Sequence, residues 1–404
     1  MKKILLIPAV LLFLLCSCSV GFRPETPAGE TSRVTEAETT IEPDPVETLL
    51  SSMTTEEKVG QLFTVTPEAL EGVCSEALLN GSTGEAVTEF TDALASAIEK
   101  YHPGGVVLFY QNILNEAQIR EFTAALHNAG KVPLLLAVDE EGGRVARIAN
   151  NESFSVPRYE SMEAVGGTGD PQKAYDAAFS IGSYLREYGF DLDLAPVADI
   201  NSNPLNRVIG DRSFGSDPSA VTAMVTAAQR GFRDAGVLSC LKHFPGHGDT
   251  AGDTHEGFVR VDKTWDELLS NEIVPFKTAI DDGAQFVMAA HLACPAVTGD
   301  ELPATLSYTM ITEKLRGELG FRGVVMTDGM NMGAITESFP SGEAAVRAIE
   351  AGCDIILGPY DFEAAYNAVL EAVNSGRLTT ERLDGSVRRI LNVKMHYTDE
   401  TVFG

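Results

Sequence analysis

The densest run of chemically capable residues is Lys242-His243-Phe244-Pro245-Gly246-His247-Gly248-Asp249-Thr250, continuing through Asp253-Thr254-His255. It holds three of the chain's seven histidines and comes directly after the apolar run 237–241. Pro245 lacks an N–H and Gly246 admits unusual backbone angles, so a regular element must stop there. A buried strand is therefore expected to deliver Lys242 and His243 at its tip. A polar, glycine-containing excursion then carries Asp253 and His255. Other clusters of the same character are Asp139-Glu140-Glu141-Gly142-Gly143-Arg144-Val145-Ala146-Arg147, Asp199-Ile200-Asn201-Ser202-Asn203, Gly210-Asp211-Arg212-Ser213-Phe214-Gly215, His291, and Thr327-Asp328-Gly329-Met330-Asn331. Carboxylates, fixed cations, imidazoles and amides in this mixture suit a small hydroxyl-rich ligand held by bidentate and charge-assisted hydrogen bonds.

The same residues must be weighed as metal ligands. Asp199 to Asn203 imitates the start of a calcium loop, but position 6 is Pro204 and position 12 is Gly210, where such loops need glycine and glutamate. His243, His247, Asp249, Asp253 and His255 are acceptable zinc ligands by type, which makes a metal-dependent barrel hydrolase an alternative. The first strand, however, lacks the His-x-His that such enzymes place there. No metal and no cofactor is assigned, and His247 is left as a brace for its loop.

The elements that must position these groups are eight short, continuously apolar runs at 61–65, 105–110, 134–138, 190–196, 237–241, 285–290, 323–326 and 354–357. Runs without alternation suit strands buried on both faces. Helical patterns separate most of them, among them 171–188, 218–234, 265–281 and 362–375. Strand and helix alternating eight times predicts an α/β fold of the (β/α)8 TIM-barrel type, in which catalytic groups sit at the carboxyl ends of the strands. Each polar cluster above lies just past one of the runs, except Gly210–Gly215, which follows further along the loop after 190–196. A doubly wound open sheet lacks its G-x-G-x-x-G after the first strand. Thr54-Thr55-Glu56-Glu57 is a capping box opening a short helix before Gly60, and Trp265 reads as a packing residue. The stretch 67–84 is a long first connection at the barrel rim.

Met1-Lys2-Lys3 with the apolar run 4–15 behind it reads as a signal peptide rather than a spanning helix. Its end resembles a bacterial lipoprotein signal, with Leu15-Cys16-Ser17-Cys18 placing the lipid on Cys18 and Cys16 as the alternative. The tract 18–45, rich in threonine, glutamate and proline, cannot bury a core and is expected to be a disordered tether. The domains read as 1–17 signal, 18–45 lipidated tether and 46–404 barrel, in an extracytoplasmic protein attached to the bacterial membrane by lipid alone. The formal net charge of −28 argues against nucleic acid or anionic lipid surfaces as partners. Cys74, Cys240, Cys294 and Cys353 form no C-x-x-C pair.

Lys242 to Thr250, Asp253-Thr254-His255, Asp139 to Val145, Gly210 to Gly215 and Met326-Thr327-Asp328 together resemble the β-N-acetylglucosaminidases of glycoside hydrolase family 3, from about Thr54 to Met395. The resemblance implies a retaining glycosidase acting on an N-acetylglucosamine-containing saccharide through a covalent glycosyl-enzyme intermediate. It implies Asp328 as nucleophile, His255 as general acid/base, Asp253 as the carboxylate orienting His255, and Asp139, Arg147, Arg212, Lys242 and His243 as sugar-binding positions. Many β-glucosidase relatives carry a second α/β domain with a glutamate acid/base. This sequence leaves no room for one after the barrel and supplies Asp-x-His instead, which points to N-acetylglucosamine. A histidine acid/base adds no negative charge against incoming phosphate, so a phosphorylase on the same site is the alternative. Glycines 246, 248 and 252 predict a mobile lid. The departures are Thr254, where serine is common, and Gly329, where another aspartate is frequent.

Overall fold

A computed structural model describes residues 44–72, 86–250, 252 and 259–402, with side chains up to 395. Eight parallel strands form its centre: β1 (Phe63–Val65), β2 (Gly105–Val107), β3 (Leu135–Val138), β4 (Leu192–Asp193), β5 (Leu238–Phe244), β6 (Phe286–Ala289), β7 (Val324–Thr327) and β8 (Ile356–Leu357). They pair in the order β7-β6-β5-β4-β3-β2-β1-β8. The ring closes where Met326 bridges Ile355 and the Thr327 N–H donates to Ile355 O at 2.9 Å. Every residue of these strands is buried except Ser239. That burial is why their sequences read as unbroken apolar runs: helices cover one face and the barrel interior the other.

Helices fill the crossovers, and each starts where the sequence can satisfy its free N–H groups. Thr54 forms a reciprocal capping box with Glu57, Asp170 and Asp217 cap Pro171–Glu187 and Pro218–Asp234, and Asp361 caps Phe362–Asn374. The second and third of these helices lie against each other, and a Cβ at Gly231 would stand 2.4 Å from Tyr175 O, so only glycine allows the approach. No described helix is long and apolar enough to cross a membrane.

The structure departs from the sequence expectation in two places. The pattern 265–281 divides into Trp265–Ser270 and Ile273–Asp281, because Asn271 leaves the helical region and donates its side-chain amide to Glu272 Oε1 at 2.9 Å. Strand β5 does not stop before Lys242 but runs through it and His243 to Phe244. The segment after β4 continues alongside, so that Ala198 N–H donates to Lys242 O at 2.6 Å while Ala290 N–H donates to Phe244 O at 2.8 Å. Lys242 and His243 thus pair within the strand, in its last three residues. The expected signal, nearly all of the tether, Cys18, Cys74, most of the first long connection, and Asp253, Thr254 and His255 lie outside the described residues.

Candidate active site

Asp139 ends β3, and the chain then folds into a short hairpin, Glu140–Gly142 against Val145–Ala146, turned by Gly142 and Gly143 at positive φ. Extended backbone sends successive side chains to opposite faces, and the two glutamates take different partners. Glu140 turns into the hairpin and accepts the backbone N–H groups of Arg147, Ile148 and Ala149 at 2.6, 2.8 and 2.8 Å, and the Tyr184 hydroxyl at 2.7 Å. It fixes the turn that presents Arg147. Burial pushes its carboxyl up against the pull of those donors, and pushes the neighbouring Asp193 well above the usual range.

Glu141 points the other way, into the barrel mouth. Its side chain is 1% exposed and joins two cations: Arg212 bidentately, at 2.8 and 2.7 Å, and Lys242 Nζ at 2.6 Å. Lys242 also donates to Asp139 Oδ1 at 2.8 Å, and Arg147 reaches Asp139 Oδ2 at 3.2 Å. Burial would raise Asp139 and Glu141, but the Lys242 and Arg147 charges outweigh it at the first, and the Arg212 and Lys242 charges at the second; both carboxyls lie below their ordinary values. Burial alone would lower Lys242, yet Asp139 and Glu141 hold it above a free lysine. The mouth therefore carries fixed, fully ionised charges at neutral pH, each already aimed by its partner.

The imidazole of His243 sits beside this pair of cations. Its Nδ1–H donates to Asp199 Oδ2 at 2.6 Å, and Nε2 lies 3.3 Å from Arg212 Nη2. Asp199, fully buried, also accepts the backbone N–H of His243 at 3.2 Å and that of His247 at 2.6 Å. It is the anchor of the motif rather than a calcium ligand. Burial would raise its carboxyl, and His243 and His247 bring it below the usual range. His247 bonds Thr250 Oγ1 through Nδ1 at 2.8 Å, so it braces the loop as its sequence context implied.

Asp328 stands one residue past β7, its N–H bonded to Ala289 O at 2.9 Å and its Oδ1 accepting from Gly329 N at 2.7 Å. Burial acts to raise its carboxyl. The positive field of His243 and His291, the Gly329 N–H and Lys242 outweigh it and hold the group below the ordinary carboxylate range. His291, fully buried at the end of β6, donates from Nε2 to Gly329 O at 2.9 Å and so steadies the residue after Asp328. A rigid, ionised carboxylate at a strand end, facing cations, is equipped for nucleophilic attack or for stabilising an adjacent positive centre.

The structure thus brings together Asp139, Arg147, Arg212, Lys242, His243 and Asp328 at the carboxyl ends of β3, β5 and β7 and on the loop after β4. Asp253 and His255 are not among the described residues. Sequence reasoning missed the roles of Glu141 and Asp199: Glu141 stands in a run of three acidic residues that nothing local separates, and Asp199 read only as part of a rejected calcium loop. Among the described residues no three His, Cys, Asp or Glu side chains are grouped to hold a metal ion.

The sequence profile described as "Glycosyl hydrolase family 3 N terminal domain" matches residues 54–393. Beta-hexosaminidase A of Pseudoalteromonas piscicida is 36% identical over 340 residues, which cover 78% of this chain and 57% of that protein. Beta-hexosaminidase LpqI of Mycobacterium tuberculosis is 37% identical over 317 residues, 76% of this chain and 79% of that protein. A solved glycoside hydrolase family 3 beta-N-acetylglucosaminidase from Paenibacillus sp. superposes with a TM-score of 0.78 at 41% identity, covering 86% of this chain and 64% of that one. The chain therefore spans less than two thirds of the Pseudoalteromonas and Paenibacillus proteins. With barrel, strand-end charges and profile in agreement from Thr54 to Val393, the chain belongs to glycosyl hydrolase family 3.

Proposed function

We propose that this protein is an exo-acting, retaining β-N-acetylglucosaminidase that removes terminal non-reducing N-acetylglucosamine from peptidoglycan-derived muropeptides or related β-glycosides. The observation that carries the reading is the seat of Asp328, one residue past β7, with its N–H on Ala289 O at 2.9 Å and its Oδ1 accepting from Gly329 N at 2.7 Å, and with His243, His291 and Lys242 drawing its carboxyl below the ordinary range. In the first step its oxygen bonds to the anomeric carbon while the glycosidic C–O bond breaks, and the leaving oxygen takes a proton from the His255 imidazolium. In the second, water attacks the same carbon, gives its proton to His255 and releases Asp328. Asp253 holds the imidazole in the required orientation, the service aspartate performs in hydrolytic triads. Asp139, Arg147, Arg212, Lys242 and His243 grip the sugar hydroxyls, Lys242 and His243 from buried positions and the other three from half-buried ones, which favours a chain end over an internal residue. The names of the beta-hexosaminidase relatives and of the Paenibacillus structure support the substrate class.

The test is turnover of an aryl N-acetyl-β-glucosaminide by Asp328→Ala. Activity should vanish, and near wild-type turnover would remove Asp328 as nucleophile. Product analysis with and without phosphate should give free N-acetylglucosamine in both; a sugar phosphate would reassign the enzyme as a phosphorylase.

A further inference from the structure

The hydrogen bond that aims the Asp328 carboxylate comes from a residue with no side chain to hold itself. Oδ1 accepts the Gly329 N–H at 2.7 Å, and among the described residues nothing donates to Oδ2. A Cβ at position 329 would stand 2.8 Å from Asn331 Oδ1, so this position has no side-chain anchor. Glycine backbone also turns more freely than any other, and an N–H that must point one way there needs a hold from outside. Two contacts supply it. Met330 N–H donates to Leu357 O at 2.9 Å, and Gly329 O accepts from His291 Nε2 at 2.9 Å. A carbonyl oxygen only accepts, so the second bond requires the ring hydrogen on Nε2. Thr305, which lies 14 positions further along the chain on the turn Ala304–Leu306, pins the other edge of the ring. Its Oγ1 is 2.8 Å from His291 Nδ1 and 2.8 Å from Ala290 O. Both side chains are fully buried.

We infer that His291 is a positioning residue for glycosyl transfer: through the Gly329 carbonyl it fixes the N–H that holds Asp328 Oδ1, and so turns Oδ2 to the anomeric carbon. Thr305 keeps the ring in the orientation this requires. The inference rests on the reading of Asp328 as nucleophile. Oδ2 forms the bond to the anomeric carbon as the glycosidic C–O bond breaks, and that bond breaks in turn when water attacks. With the Gly329 N–H released, the carboxylate turns about its own side-chain bonds, and an ångström of misplacement costs about 100-fold. The residues read as gripping the sugar lie on β3, β5 and the loops after β3 and β4, so binding of the sugar does not pass through His291. A loss confined to the transition state therefore separates positioning from a general loosening of the fold.

The experiment measures kcat/KM on a dinitrophenyl N-acetyl-β-glucosaminide, whose leaving group departs without a proton, and the inhibition constant of free N-acetylglucosamine. The proteins are wild type, His291→Leu, His291→Gln, Thr305→Val and Thr305→Ser, with thermal melts alongside. Wild type is also treated with 5-fluoro-N-acetylglucosaminyl fluoride, and the labelled residue is located by peptide mass analysis. His291→Leu should lose about 10- to 100-fold in kcat/KM while the inhibition constant stays within about twofold. His291→Gln keeps an N–H for Gly329 O and should recover most of the loss. Thr305→Val should fall in the same direction and Thr305→Ser should not; should His291→Leu fail to fold, Thr305→Val, a change of similar shape, carries the same test. Wild-type kcat/KM in the Leu and Val variants, a parallel loss in the inhibition constant, or a Gln variant as poor as Leu overturns the inference. If the label falls on Asp328 and the kinetics are unchanged, the inference fails and the functional reading stands. If the label falls on another residue, the nucleophile assignment fails, and the inference with it.

Discussion

Replacing Glu141 by glutamine tests whether one buried carboxylate organises the cations at the barrel mouth, the proposed sugar site. Glu141 accepts two hydrogen bonds from Arg212, at 2.8 and 2.7 Å, and stands 2.6 Å from Lys242 Nζ, with 1% of its side chain exposed. A neutral amide presents one accepting oxygen, so at least one of these bonds becomes an N–H facing a cation. Lys242 keeps Asp139, and Arg212 keeps Val208 O at 3.1 Å and the His243 ring. Removing one member of a buried ion pair costs about 3–5 kcal/mol, and the retained partners place Glu141→Gln at the lower end. Stability in urea should fall by about 3 kcal/mol, while KM for an aryl N-acetyl-β-glucosaminide rises and kcat/KM drops by roughly 100-fold as both cations lose their aim. A double-mutant cycle with Arg212→Met should show coupling of at least about 1.5 kcal/mol, since the two side chains share one interaction. A stability change below about 1 kcal/mol, an unchanged KM, or additive single mutants would refute the claim that this bridge aims the cations.

Asp199→Asn keeps an acceptor for the backbone N–H groups but loses the charge that orients His243, so kcat/KM should fall on the order of 100-fold with little change in fold; wild-type kinetics would show that His243 needs no such anchor. Lys394, on the last helix and bonded to Gln61 Oε1 at 2.8 Å, is lowered by burial from its usual value to about 7. The unfolded chain therefore holds one more proton than the native state above that pH, and stability should rise by about 2 kcal/mol between pH 7 and 9, a slope that Lys394→Met abolishes; parallel pH profiles for the two proteins would contradict it. Cys18→Ser should move the protein from the membrane fraction to the soluble fraction, and unchanged membrane association would exclude that cysteine as the anchor.

Much of this molecule was legible in one dimension because its causes are local. Continuous apolar runs mark strands that barrel geometry buries on both faces, and the caps at Thr54, Asp170, Asp217 and Asp361 are satisfied within a few residues of sequence. Since the barrel places chemistry at strand ends, the residues closing each run were enough to bring Asp139, Lys242, His243 and Asp328 to the barrel mouth. Two local misreadings had causes outside the hydrophobic pattern, one distant in the chain and one adjacent. Strand β5 extends through His243 because the chain after β4 offers it a pairing partner, and the helix pattern at 265–281 breaks where Asn271 finds Glu272.

The sequence by itself determined the barrel, the order of its strands and the residue types gathered at its mouth, since these arise from periodicity and from propensities acting over a few residues. Only the tertiary structure decided which of two adjacent glutamates faces the site. Glu141 meets Arg212 across 71 positions of chain, and Lys242 meets Asp139 across 103. Such pairings form only when closure of the barrel brings the strand ends together. No local pattern in Glu140-Glu141 distinguishes the carboxylate that ties a hairpin from the one that holds the cations at the barrel mouth.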